Sequence, residues 1–268
     1  MIKAFPADFA EVLVMKTVLC ENSDILGKKA AAHIARLLKE TVREKGEARL
    51  LVSTGASQFT TFEALISEEG INWEKIELFH LDEYIDLPDT HPASFIKYLK
   101  ERFIEKLNGK FKKIHFVDTS EGAKGIIEKL NLELPREIID LGVVGIGENA
   151  HIAFNDPPAD FDCENAYKIV KLDEACRRQQ LGEGWFETFD SVPKEAVSMT
   201  VGQILKCSHI ISAVPYAAKA KAVHDTLTSE KITNMIPATA LRAHPDWTLY
   251  IDRESASLLG EEYIKNLK

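Results

Sequence analysis

With 268 residues, 45% of them apolar, the chain can bury a full core, and that size suits one large α/β domain over residues 1–268 better than two. Its 42 acidic against 33 basic residues give a formal charge of −9 with no long run of either sign, so neither nucleic acid nor an anionic membrane is a natural partner, and an anionic small molecule would need local positive groups. Cys20, Cys163, Cys176 and Cys207 form no C-x-x-C pair, no signal-type apolar segment follows a basic start, and no apolar run approaches the roughly 20 residues that span a bilayer, which points to reduced thiols in a cytoplasm.

Helical and strand periods alternate along the chain. Ser23 or Asp24 can cap a helix that carries Ile25, Ala31, Ile34, Ala35, Leu38 and Val42 near helical spacing and stops before Gly46. Residues 49–53 then read as a buried strand, a helix with Phe59, Phe62, Leu65 and Ile66 on one side follows, and residues 76–81 form the next strand, completing a βαβ unit. Helix 95–107 precedes strand 114–117, helix 122–130 precedes strand 138–144, and strand 167–172 is followed by a helix after Asp173. Strand 209–214, helix 217–227 and strand 247–251 close the alternation, while residues 182–193 read as a long surface loop. A single mostly parallel, doubly wound, Rossmann-like sheet with helices on both faces satisfies this order.

Such a sheet puts function at the carboxyl ends of its strands. After strand 49–53 come Thr54, Gly55, Ala56, Ser57 and Gln58, small and hydroxylic, directly before a helix whose first N–H groups can hold an anion; an ordinary cap by Ser57 is the alternative. No Gly-Lys-Ser/Thr follows, so this is not a P-loop, and no second glycine makes it a nucleophile elbow. Asp82 and Glu83 are adjacent, and strand geometry points them to opposite sides, so one of them, Asp82 by choice, faces the cleft. His91-Pro92 reads as a turn before the helix that starts near Ser94. His33, His115, His209 and His224 read as structural, without carboxylate company, and no histidine pair has metal-ligand spacing, so no metal is expected.

The densest chemistry is Gly145-Ile-Gly-Glu-Asn-Ala-His-Ile-Ala-Phe-Asn-Asp-Pro157. It formally matches the dinucleotide pattern G-x-G-x-x-A, but a fingerprint should open a long helix, and this segment reaches Pro157-Pro158 within two turns. Gly145, Gly147 and Ala150 instead let backbone approach a sugar, while His151 lies between Asn149 and Asp156 as possible orienting partners. Lys219, just past the strand end at Val214, would alone read as a solvated helix lysine.

Thr54-Gly55 with Thr60-Thr61, Leu81-Asp-Glu-Tyr-Ile-Asp-Leu-Pro88, the histidine loop, Val192-Pro-Lys194 and Lys219 stand in the order and approximate spacing of one family. The chain resembles the glucosamine-6-phosphate deaminase (isomerase) family, within a wider group that includes 6-phosphogluconolactonases, and the resemblance runs almost the whole chain, to Tyr250-Ile-Asp252. It implies that Asp82 moves a proton between C2 and C1 of an open-chain amino sugar phosphate, that His151 opens the ring with Asp156 and Asn149 in support, and that the Thr54 to Gln58 loop and Lys219 bind the 6-phosphate. Asn149 stands where deaminases commonly carry Asp, and Asp156 where they commonly carry Glu. A phosphate-binding arginine of the family falls near Arg177 or Arg178, beside Gln179 and Gln180, across an insertion. The resemblance implies a homo-oligomer, a small-molecule sugar phosphate as substrate and no cofactor. Galactosamine 6-phosphate as substrate, lactone hydrolysis, and a sugar-phosphate sensor without turnover remain alternatives to glucosamine 6-phosphate deamination.

Overall fold

The computed structural model describes residues 16–182 and 184–267, apart from the side chain of Ala175. Of the surface loop expected over residues 182–193, Glu183 therefore lies outside the described residues.

The described residues open with a strand that periodicity did not single out, β1 (Lys16–Cys20), followed by α1 (Ser23–Lys45), β2 (Ala48–Val52), α2 (Phe59–Ile66) and β3 (Ile76–His80). Next come β4 (Asp82–Tyr84), α3 (Phe95–Leu99), β5 (Lys113–His115), α4 (Ala123–Glu133) and β6 (Leu141–Val143). The remainder comprises β7 (Tyr167–Lys171), α5 (Glu174–Gly182), β8 (Glu195–Met199), α6 (Val201–Ile204), β9 (His209–Val214), α7 (Ala220–Thr228), β10 (Trp247–Asp252) and α8 (Glu261–Lys265). Among the described residues no helix is long and apolar enough to cross a membrane.

Among the described residues seven strands form one all-parallel sheet in the order β1-β10-β9-β6-β2-β3-β5, covered on both faces as the sequence predicts. Alternate strand residues divide between two cores: Leu50, Val52, Leu78 and Ile211 pack with Leu26, Ile34 and Phe62 on one side, while Leu51, Phe79 and Ile210 pack with Leu130, Val223 and Leu227 on the other. From the middle of the sheet the chain winds outward in two directions, β2 to β3 to β5 and β6 to β9 to β10, so the order reverses between β2 and β6. That reversal opens a crevice at the carboxyl ends of these two strands.

A second, antiparallel sheet, β4-β8-β7, has no counterpart in the sequence pattern. The sequence pattern places strand 167–172 in the parallel sheet and Asp82 and Glu83 just past the end of strand 76–81; instead β4 and β7 flank β8 over a small aromatic core of Tyr84, Phe154 and Phe186. Local detail differs at α1 too. Neither Ser23 nor Asp24 is its cap: the Asn22 side chain accepts from the Ile25 amide at 2.9 Å, which leaves Ile25 exposed and buries Leu26. The helix does end on Gly46, left-handed at φ 82°. At Gly27 a Cβ would lie 2.6 Å from the Thr60 backbone, so glycine is what lets α1 and α2 meet.

Candidate active site

The crevice at the switch point is a cleft of about 220 Å³, walled by residues from segments far apart in the chain. Residues 53–58 follow β2, Asp82 begins β4, the segment from Gly145 to Phe154 follows β6, Gln179 and Gln180 come from α5, and Tyr216 and Lys219 follow β9. Two of these loops are tied together where their strands end, by the Gly145 amide donating to Ser53 Oγ at 3.0 Å.

The loop after β2 turns sharply at Gly55, φ 98°, and its backbone carbonyl accepts from the Tyr98 hydroxyl at 3.1 Å. The alternative of a Ser57 cap does not apply: no side chain caps the start of the 3-10 turn over residues 56–58 or of α2. Gln58 is fully buried, its Nε2 donating to the Ala213 carbonyl at 3.3 Å while its Oε1 has no partner among the described residues. Lys219 lies across the cleft in the turn that leads into α7.

Asp82 is held by the antiparallel sheet. It pairs in register with Ser198 of β8, and Ser198 Oγ accepts the Phe154 amide at 3.0 Å, so the strand that carries the carboxylate and the loop that carries His151 share one anchor. Asn155 adds a second tie, donating from Nδ2 to the Met199 carbonyl at 2.8 Å. Asp82 faces the cleft, whereas Glu83 turns away and accepts from Ser94 Oγ at 2.9 Å and the Ile96 amide at 2.8 Å. Burial pushes the Asp82 carboxyl up to about 8, the neighbouring Glu83 charge adds to this, and the Phe154 amide opposes it. Burial likewise raises Glu83, to about 7, against its hydrogen bonds from Ile96, Tyr84 and Ser94.

His151 Nδ1 lies 3.0 Å from Asp156 Oδ1. The same oxygen accepts from Asn149 Nδ2 at 2.9 Å, and Asn149 Oδ1 accepts the His151 amide at 3.2 Å. Asn149 therefore aligns the carboxylate rather than the ring. Burial alone would raise the Asp156 carboxyl, but the hydrogen bond and charge of His151, with the Asn149 amide, hold it below the usual carboxylate range. The other face of the imidazole rests on Gly147, where a Cβ would stand 2.2 Å from His151 Nε2. Ala150 is left-handed at φ 64°, and its carbonyl accepts from the Ala238 amide at 2.8 Å.

Arg177 and Arg178, expected at the phosphate, are not among the cleft's walls. Arg177 is buried under the 189–192 turn, where Nη2 donates to the carbonyls of Phe189 at 2.7 Å and Val192 at 2.9 Å; Arg178 pairs with Glu174 at 2.5 Å on the exposed face. The next residues of the same helix, Gln179 and Gln180, reach the cleft instead. Glu148, Phe95, Phe154 and Tyr216 also wall the cleft, though no periodicity marked them. Three histidines read as lacking carboxylates have them: His115 Nε2 is 2.8 Å from Glu77, His209 Nδ1 is 2.6 Å from Asp246, and His224 Nδ1 is 3.0 Å from Asp225. These pairs join residues distant in sequence or adjacent in a helix and lie outside the cleft. The Glu77-His115-Glu133 cluster has ligating atoms within 4.8 Å, but Arg49 pairs with Glu77 and Lys113 with Glu133, so its carboxylates are already balanced by cations.

The family model of glucosamine-6-phosphate isomerases and 6-phosphogluconolactonases matches residues 21–250. The chain belongs to this family. A glucosamine-6-phosphate deaminase of Thermoanaerobacter pseudethanolicus is 32% identical over 95% of this chain and 99% of its own length, and glucosamine-6-phosphate deaminase 1 of Bacillus subtilis is 32% identical over 91% and 99%. Among solved structures, a monomeric glucosamine-6-phosphate deaminase superposes with a TM-score of 0.78 at 30% identity, covering 91% of this chain and all of that one. The 6-phosphogluconolactonase of Thermotoga maritima shares the fold, with a TM-score of 0.73 at 16% identity over 89% of this chain and 99% of its own.

Proposed function

We propose that this member of the family converts glucosamine 6-phosphate and water to fructose 6-phosphate and ammonia, an aldose-ketose isomerisation coupled to deamination. The observation that carries this reading is a cleft in which a desolvated carboxylate, Asp82, and a carboxylate-paired histidine, His151, lie with an uncapped loop and helix start and Lys219.

The cyclic sugar has no carbonyl, so ring opening comes first. His151 moves the proton from O1 to O5, and Asp156, 3.0 Å from Nδ1, sets the tautomer that leaves Nε2 to do so. The aldehyde at C1 acidifies the C2 proton. Asp82 takes that proton as its C–H electrons form the C1–C2 double bond and O1 becomes protonated; it then returns the proton to C1 as the amino lone pair forms the C2=N bond. Water adds to this imine and ammonia leaves. A carboxyl raised to about 8 is a stronger base towards a carbon acid than an ordinary one. The loop at residues 54–58 and Lys219 anchor the phosphate, whose remote binding energy positions the reacting end.

Ammonia release from glucosamine 6-phosphate and galactosamine 6-phosphate, assayed side by side with fructose 6-phosphate and tagatose 6-phosphate detection, tests the proposal. The expected result is turnover of the glucosamine substrate in preference. Turnover of the galactosamine epimer alone would reassign the sugar, and hydrolysis of 6-phosphogluconolactone without ammonia release would reassign the reaction.

A further inference from the structure

Gln180 is a buried residue whose orientation is dictated from outside the cleft it faces. In α5, Cys176, Arg177 and Gln180 turn inward while Glu174 and Arg178 face solvent. The Gln180 side-chain oxygen accepts the Tyr84 hydroxyl at 2.5 Å. That bond uses the acceptor and leaves the amide nitrogen without a bond of its own among the described residues, on a side chain that walls the cleft. Tyr84 cannot easily swing away, because its ring packs against Phe95, Phe154 and Phe186 at centroid separations of 5.1, 5.2 and 5.8 Å. It is also two residues after Asp82 in β4, so the two side chains leave the same face of the strand with Cα atoms roughly 7 Å apart.

On the deaminase reading of this cleft, on which the inference rests, Asp82 marks C2 of the substrate and the 54–58 loop with Lys219 marks the phosphate. A donor tethered to Tyr84 then faces the carbons between. Both arginines of α5 are engaged elsewhere, so what this helix presents is a neutral N–H, which suits a hydroxyl better than a dianion. We propose that Gln180 determines sugar specificity, its amide nitrogen donating to a substrate hydroxyl at C3 or C4, with Tyr84 as the positioning residue that fixes the amide.

The test uses the full-length protein and calorimetric titration with fructose 6-phosphate and with inorganic phosphate. Gln180→Met keeps length and neutrality but removes the donor; Tyr84→Phe keeps the ring and removes the anchor; the double variant removes both polar partners, so no hydroxyl is left buried and unpaired. The expectation is roughly tenfold weaker fructose 6-phosphate binding by Gln180→Met with inorganic phosphate binding unchanged, the size of one lost neutral hydrogen bond. Tyr84→Phe should lose less, and the double variant no more than Gln180→Met, because the tyrosine acts through the glutamine. The loss should vanish with the 3-deoxy or the 4-deoxy ketose phosphate, whichever lacks the bonded hydroxyl. Equal weakening of phosphate and sugar phosphate, wild-type affinity in Gln180→Met, or additive losses in the double variant would each overturn the proposal. Ammonia release by the wild type is read separately: fructose 6-phosphate binding without ammonia release would sink the proposed reaction while the Gln180 comparison still stands or falls by itself.

Discussion

Replacing Gly147 by alanine adds one methyl group, and the structure says where it goes. Gly147 is not in the left-handed region, so alanine meets no backbone penalty there. Its Cβ would instead stand 2.2, 2.3 and 2.5 Å from Nε2, Cε1 and Cδ2 of His151, where ordinary contact begins at 3.4 Å. The ring must withdraw by about 1 Å, and its surroundings oppose that: Asp156 lies 3.0 Å from Nδ1, Asn149 holds Asp156 at 2.9 Å, and the Gly147 amide donates to the His151 carbonyl at 2.9 Å. A displacement of about 1 Å at a proton-transfer group costs on the order of 100-fold in rate, and the overpacking about 1–3 kcal/mol of stability. Initial rates on glucosamine 6-phosphate should therefore give kcat/KM on the order of 100-fold below wild type, with fructose 6-phosphate binding nearly retained. On a His151→Ala background, where the ring is gone, the same substitution should be nearly silent. Near-native turnover in Gly147→Ala, or the same loss on both backgrounds, would refute the assignment of that methyl group's effect to the imidazole.

Asp82→Asn should lower turnover by at least ~100-fold while leaving fructose 6-phosphate binding nearly intact, as isothermal titration beside a rate assay would show; substantial activity in the variant would remove Asp82 from the proton shuttle. Because burial raises the folded Asp82 pKa to about 8, its stabilising contribution is full below the unfolded value and is lost as pH rises through the folded one, so Asp82→Asn should gain Tm relative to wild type between pH 5 and about pH 8; a constant Tm difference would contradict the shift. The same carboxyl must be ionised to act as a base, so kcat/KM should climb as pH rises towards about 8, and Glu83→Gln, by deleting a neighbouring negative charge, should move that limb to lower pH; an unmoved limb would exclude Glu83 as its cause. His151→Gln should impair turnover of the cyclic sugar more than C1 or C2 proton exchange in a substrate supplied open, measured by deuterium incorporation; equal losses would place His151 in binding instead.

Elements whose burial pattern is local were legible in the chain. The apolar spacing of α1 with its glycine stop, the buried runs of β2, β3, β9 and β10, and the small-residue loops at their ends identified a doubly wound sheet and the segments at its edge, because side-chain period and turn chemistry depend on neighbouring residues. Asp82 and Glu83 were separable by strand alternation alone, and the structure places them on opposite sides. What escaped was set by partners far along the chain. β4 is three residues long and becomes a strand only by pairing with β8, more than 100 residues later; no local pattern encodes that pairing, yet it brings Asp82 beside the His151 loop. Asn149 reads from the sequence as a neighbour of the histidine, and its orientation towards Asp156 emerges only when the loop folds back on itself. The arginines of α5 show the same limit. Helical spacing predicts which residues share a face, but whether that face meets a ligand or the carbonyls of the 189–192 turn depends on how the helix is docked, and docking turns the glutamines into the cleft.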